Sequence, residues 1–196
     1  MHRIDLSKAI AALKDGNIVV YPTDTLYALG ADIFNEKAVR KVFEIKKRPL
    51  DDSLSVAVSS FDDVERIAFV NDDARCLAEC FLPGPLTLVL NKKNSISDVV
   101  TGGLDKVAVR IPANDVALDL LSRFGPLTAT SANVHGMETH HRISDIKMQF
   151  KVDDIVVYID YGGLEGLPST IVDMTAEKPR ILREGIITER EILDVI

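Results

Sequence analysis

The sequence predicts an α/β fold, a twisted mixed sheet of parallel and antiparallel strands with helices on both faces. Three observations predict it. Amphipathic helical runs alternate with short apolar, β-branched runs from end to end. Adjacent strand runs such as STIVDMT and RILRE have no helix between them, so antiparallel pairs must accompany any parallel ones. No linker-like stretch divides the 196 residues, 46% of them apolar, and residues 1–196 are read as a single domain.

Each element has its own signal. Leu6, Ala9, Ile10 and Leu13 recur at helical spacing and Gly16 follows as a stop, so a helix opens the chain. NIVVYP reads as a buried strand ended by Pro22, which places TDTLYALGAD at a strand terminus. Asn35 is placed to cap EKAVRKVFEIKKR, whose inward stripe is Ala38, Val39, Val42 and Phe43 with Ile45 or Lys46. Pro49 disfavours helical geometry at Arg48, so Lys46, Lys47 and Arg48 crowd the last turn. SLSVAV then reads as a strand, DDVERIAFV and DDARCLAECF as helices, and LTLVLNK and KVAVRIP as strands, flanked by Pro-Gly-Pro at 83 to 85 and a glycine pair at 102 and 103. The remaining order is helix (NDVALDLLSRF), strand (LTATS), a polar loop with Asn133, His135 and Gly136, helix (ISDIKMQF), strands DIVVYID, STIVDMT and RILRE, and helix (TEREILDVI).

Charge and composition narrow the function. Thirty acidic against 23 basic residues leave a net charge of −7, which argues against a surface that holds nucleic acid mainly by neutralising phosphates. Cys76 and Cys80, the only cysteines, share one helical face and read as small buried hydrophobes, since no second ligand pair lies nearby. The amino-terminal stretch lacks a signal peptide's apolar core and no run reaches membrane-spanning length, so a cytoplasmic location without membrane attachment is expected.

No G-x-x-x-x-G-K-[ST], no G-x-G-x-x-G after a strand and no G-x-S-x-G is present, and His140 and His141 read as a solvated loop, with no metal site expected. What remains is polar residues at strand ends: Thr23, Asp24 and Thr25 after the first strand, and Lys46 and Arg48 closing a helix. Lys106 and Arg110 lie four apart on one strand face, Ser131 and Asn133 end another strand, and Arg183 ends the last one. Sheet termini are where ligands of α/β proteins sit. Singly, each residue also fits a bland role as turn former, helix-dipole partner or surface charge.

The ordered blocks YPTDTLYALGAD, KKRP, KVAVRIPA, TATSANVHG, PSTIVDMT and ILREG resemble the YrdC-like threonylcarbamoyl-AMP synthase family from about Leu6 to Gly185. Its K-x-R and S-x-N signatures fall on Lys46, Arg48, Ser131 and Asn133, and the resemblance implies a YrdC-like fold with a basic concave surface. It further implies condensation of L-threonine, bicarbonate or CO2, and ATP into threonylcarbamoyl-AMP and pyrophosphate, for N6-threonylcarbamoyladenosine at tRNA position 37. Lys46, Arg48, Asp52, Lys106, Ser131, Asn133, Thr139 and Arg183 match positions around ATP; Thr25, Arg110, Ala129 and Ser169 match positions around threonine. Mg²⁺ is expected on phosphate oxygens, and the partners implied are a downstream tRNA threonylcarbamoyl-transferase complex and, at most, a weak tRNA contact.

Two departures stand out. Many members carry a Pro-Leu pair and a nearby histidine after K-x-R, where this chain reads DDSLSVA; Asp52 places a carboxylate near the triphosphate that would repel it unless a cation intervenes. Longer members append a second domain, expected to be absent because the chain ends at Ile196. Rival readings are an RNA-binding or ribosome-associated module without catalysis, a carbamoyl-transfer domain of hydrogenase maturation, and a paralogue that has lost threonine activation. No tryptophan and four tyrosines count against the first, the lack of cysteine-rich fingers against the second, and the S-A-N of TATSAN against the third.

Overall fold

Two hydrogen-bonded ladders form the centre of the computed structural model, which describes residues 5–151 and 154–196. Helix α1 (Ser7–Lys14) leads into the hairpin β1 (Val19–Tyr21) and β2 (Ala28–Gly30), then α2 (Glu36–Lys46) and β3 (Ser55–Ala57). Next come α3 (Phe61–Ile67), β4 (Ala68–Phe69), α4 (Asp72–Phe81), β5 (Leu86–Lys92), α5 (Asp98–Thr101), β6 (Lys106–Arg110) and α6 (Asp115–Phe124). The chain closes with β7 (Leu127–Thr128), β8 (Thr130–Ser131), α7 (Ile143–Gln149), β9 (Val157–Tyr158), β10 (Thr170–Asp173), β11 (Arg180–Arg183) and α8 (Glu189–Leu193).

The four-stranded ladder runs β8-β2-β1-β9, and the seven-stranded one β11-β10-β5-β6-β3-β7 with β4 paired to β5. Both mix parallel pairs (β1 with β9, β10 with β5, β3 with β6) and antiparallel ones. The predicted mixed sheet is present, but it is not one continuous ladder. LTATS, expected as one strand, breaks at Ala129, so that β7 belongs to one ladder and β8 to the other. Buried Thr128 stitches this seam: its Oγ1 donates to Leu29 O at 2.7 Å, Ala31 N donates to Oγ1 at 2.9 Å, and Thr128 N donates to Ala31 O at 2.9 Å.

Helices cover both faces, and strand period shows why. Successive side chains of a strand point to opposite faces. Val19 and Tyr21 join a cluster with Leu6, which precedes α1, Leu13 of α1 and Leu120 of α6, whereas Val20 joins the larger core with Val39, Val42 and Phe43 of α2. Strands buried on both faces read as continuous apolar runs, as NIVVY does.

Helix ends follow local chemistry. Asn35 Oδ1 accepts from Ala38 N at 3.2 Å, as expected for a cap, and Thr188 with Glu191 forms a capping box on α8. The helix expected over DDVERIAFV stops at Ile67, because Ala68 and Phe69 turn extended and pair with Asn91 and Lys92 of β5. The expectation that Cys76 and Cys80 are buried is corrected: both are exposed, because α4 turns Ala74, Leu77 and Ala78 inward and the two thiols lie off that stripe. His141 is exposed and His140 half-buried in a loop, and no cluster of three or more His, Cys, Asp or Glu able to hold a metal occurs among the described residues. Nor is any described helix long and apolar enough to cross a membrane.

Candidate active site

A cleft of about 370 Å³ opens where the ends of β3, β6, β8, β10 and β11 meet the β1–β2 loop. Eight of the sequence-predicted residues line it: Thr25, Arg48, Arg110, Ala129, Ser131, Thr139, Ser169 and Arg183. Residues as far apart in sequence as Thr25 and Arg183 thus share one cleft. Lys46, Asn133, Asp52 and Lys106 do not line the cleft, and each has a defined place beside or beneath it.

The turn that ends α2 explains the first of these. Lys47 adopts the left-handed conformation (φ 53), Lys47 N donates to Glu44 O at 3.0 Å, and Arg48 N donates to Phe43 O at 2.9 Å. This is the Schellman pattern, here with lysine where glycine is usual. It separates three consecutive cations: Lys46 points inward and is 2% exposed, Lys47 is solvated, and Arg48 turns to the cleft. Lys46 Nζ donates to Ser131 O at 2.6 Å, Asn133 O at 2.7 Å and Asn133 Oδ1 at 3.3 Å. Asn133 Oδ1 also accepts from Ser131 Oγ at 2.6 Å, while its Nδ2 donates to Met137 O at 2.7 Å. The K-x-R lysine and the S-x-N asparagine thus form the scaffold that presents Ser131. Burial, with the nearby Arg48 charge second, pushes the Lys46 ammonium down to about 7.

Two arginine–aspartate pairs differ in kind. Arg110 is 6% exposed; its Nη2 donates to Asp24 Oδ1 at 2.6 Å and its Nη1 to Thr25 Oγ1 at 2.9 Å. Burial pulls the Arg110 pKa below its ordinary value, and the Asp24 charge opposes that pull. Arg48 is looser: Nη2 donates to Ser53 O at 2.8 Å, and Nε stands 3.4 Å from Asp52 Oδ2 without making a hydrogen bond. Arg183 Nε and Nη2 both donate to Ser169 O, at 3.1 and 2.9 Å, and it has no carboxylate partner among the described residues. Burial, then the Arg110 charge, lowers its pKa. Lys106 shares its strand face with Arg110 but reaches away from the cleft, pairing with Asp173 Oδ2 at 3.0 Å.

Sequence reasoning missed Thr87, whose Oγ1 lies 2.9 Å from Ser169 Oγ, and the role of Asp24 as the anion of Arg110. Asp24 stood in the strand-end set, but its partner lies 86 positions away, and nothing local marks the pair. The arrangement offers three guanidiniums and several hydroxyls around one small hollow, suited to charge-assisted hydrogen bonds with an anionic ligand.

Fold and cleft together define an α/β protein with a basic, hydroxyl-lined cleft among its strands. Comparison with known proteins makes the class specific. Residues 11–185 match the Sua5/YciO/YrdC family model, described as "Telomere recombination". The chain belongs to the Sua5/YciO/YrdC family. It is 40% identical over 195 residues to a threonylcarbamoyl-AMP synthase of Pyrococcus abyssi, covering 96% of this chain and 56% of that protein. It is 41% identical over 176 residues to a putative threonylcarbamoyl-AMP synthase of Methanocaldococcus jannaschii, covering 88% of this chain and 82% of the relative. The crystal structure of P. abyssi Sua5 complexed with L-threonine superposes with a TM-score of 0.95 at 39% identity, over 100% of this chain and 59% of that one. This chain spans little more than half the length of the P. abyssi protein.

Proposed function

We propose that this chain condenses L-threonine, bicarbonate or CO2, and ATP into threonylcarbamoyl-AMP and pyrophosphate, with residues 1–196 acting as one YrdC-like domain. The observation that carries this reading is the meeting of Arg48, Arg110, Ser131, Ser169 and Arg183 in one cleft, in a chain whose relatives bear that activity in their names.

The chemistry asks little covalent work of the protein. The threonine amine attacks CO2, forming a C–N bond and releasing a proton; a carbamate oxygen then attacks the α-phosphorus of ATP and the bond to the β-phosphate oxygen breaks, releasing pyrophosphate. The protein must align the reactants and stabilise charge gathering on the α-phosphate and the leaving pyrophosphate. Arg48 and Arg183 are assigned to phosphate oxygens, since each is held through only part of its guanidinium. Ser131 stands at the edge of the cleft, its hydroxyl donated to Asn133 Oδ1 until it turns to a phosphate oxygen, and its position set by Asn133 and, through two backbone carbonyls, by Lys46. Thr139 and Lys106 complete the nucleotide side, Lys106 at longer range because Asp173 holds it. Thr25, Ala129 and Ser169 surround the threonine side chain, with Arg110 supplying positive potential for its carboxylate from beneath Thr25.

Mg²⁺ fits as an ion carried on phosphate oxygens, because the described residues offer no cluster of three or more ligands and Asp52 is the carboxylate beside Arg48. When bound it would neutralise charge on the triphosphate. The product suits a downstream tRNA threonylcarbamoyl-transferase complex in the cytoplasm, without need for more than a weak tRNA contact by this chain.

Incubation with ATP, bicarbonate and each amino acid in turn, following pyrophosphate, tests the reading. Release dependent on both threonine and bicarbonate is expected. Release indifferent to the amino acid, or salt-dependent RNA binding with no turnover, would overturn it.

A further inference from the structure

We propose that Asp52 is a resident counter-anion of Arg48 that makes the cleft select metal-bound polyphosphate over the metal-free form. The inference deepens the phosphate-binding reading above and rests on it.

The geometry distinguishes the two arginine–aspartate pairs of the site. Arg110 and Asp24 are 7% and 12% exposed at the side chain and joined by a 2.6 Å hydrogen bond; that pair is part of the fold. Arg48 and Asp52 are 23% and 42% exposed, lie 3.4 Å apart, and share no hydrogen bond. The Arg48 Nε is one of three buried side-chain polar atoms without a partner among the described residues. A buried donor left unpaired beside a cleft is costly, and marks where an acceptor belongs. Asp52 supplies charge there without completing the bond.

Its placement is built rather than accidental. Asp52 N donates to Pro49 O at 3.2 Å, closing the turn that brings the carboxylate back to Arg48, and Leu54 N donates to Val100 O at 2.9 Å. Gly102 (φ 61) lies so close beneath that a Cβ would collide with the Asp51 carbonyl oxygen. The turn therefore has little room to swing Asp52 away.

A phosphate oxygen arriving at the cleft-facing part of the Arg48 guanidinium meets the field of the Asp52 carboxylate, whose Oδ2 stands 3.4 Å from Arg48 Nε. A metal-free polyphosphate is repelled, whereas in one carrying Mg²⁺ the cation offsets that repulsion. Coulomb interaction at such a distance, screened as at a protein surface, changes affinity by about tenfold.

Titration calorimetry with inorganic tripolyphosphate, with and without Mg²⁺, tests this on three proteins. The wild type is expected to bind the Mg²⁺ form about tenfold more tightly. Asp52→Asn should gain about tenfold in the metal-free arm alone, bringing the two arms together. Asp51→Asn, which makes the same change of net charge at an exposed neighbour, should keep the wild-type preference. A preference that survives Asp52→Asn, equal weakening of both arms, or an identical response from Asp51→Asn overturns the counter-anion role alone. A wild type that binds neither form removes the phosphate reading, and this inference with it.

Discussion

Arg110 and Arg48 carry the same charge into one cleft, yet their removal should be felt in different measurements. Arg110 neutralises Asp24, whose side chain is 12% exposed and whose Oδ2 is already without a partner. Arg110→Ala leaves that carboxylate buried and unpaired, which costs about 3–5 kcal/mol, so a large loss of stability in urea titration is expected. Arg48 pairs with a half-exposed aspartate, and its loss should scarcely move the midpoint. Its effect belongs to the chemistry: Arg48→Ala and Ser131→Ala should each slow adenylate formation more than about tenfold with the fold intact, because each removes a group of the cleft able to donate to developing phosphate charge. Near wild-type turnover in either variant would reject the assignment of both residues to the nucleotide. Arg110, Arg48 and Ser131 were all legible as candidates from their place at strand ends. Which arginine is structural was not, since the deciding partner is either 86 or four positions away and sequence separation says nothing of burial.

At the scale of the element, the end of α2 decides how K-x-R works. Three consecutive cations in a continuing helix would fan out by about 100° each. The left-handed Lys47 instead folds the chain back, sending Lys46 under the Ser131–Asn133 segment and Arg48 to the cleft, with Lys46 O receiving His135 N at 2.7 Å. A side chain in that conformation costs about 1–2 kcal/mol, partly offset by glycine's extra freedom in the unfolded chain. Lys47→Gly should therefore stabilise by about 0.5–1 kcal/mol, visible as a Tm about 2 °C higher. Turnover should be unchanged, because Lys47 is exposed and bonds no residue of the cleft through its side chain. A lower Tm would show that the turn is not held in the way described. Pro49 announces this helix end in the sequence, as Asn35 announces its start, and both were read correctly. The reversal was not, because lysine gives no sign of a left-handed cap where glycine would.

For the whole molecule, alternation and capping residues sufficed to place most helices and strands, while the division into two ladders escaped them. That division falls at Ala129 of LTATS, and Thr128 beside it joins the two ladders through a hydroxyl that bonds Leu29 and Ala31 almost a hundred positions earlier. Lys46 closes the same region from below, tying α2 to the segment beyond β8, and so couples global stability to pH. Its native pKa is about 7 against 10.5 in the unfolded chain. Below about 7 both states hold the proton and the native state bears the cost of a buried ammonium. Between 7 and 10.5 the unfolded chain still holds the proton and the native one does not, so unfolding takes up a proton and native stability rises with pH. The rise attributable to this one group is at most about 1.4 kcal/mol per pH unit, and it ceases above the unfolded value. Lys46→Met fills similar volume without a titrating group; it leaves Ser131 O and Asn133 O without their donor, a cost of about 1–3 kcal/mol that does not vary with pH. Urea titrations of both proteins at steps of about half a unit from about pH 6.5 to about 10 should give a stability difference that widens in favour of wild type as pH rises. A flat difference would mean that the three oxygens around Nζ hold the ammonium charged throughout, and that Lys46 enters the cleft's electrostatics as a permanent cation.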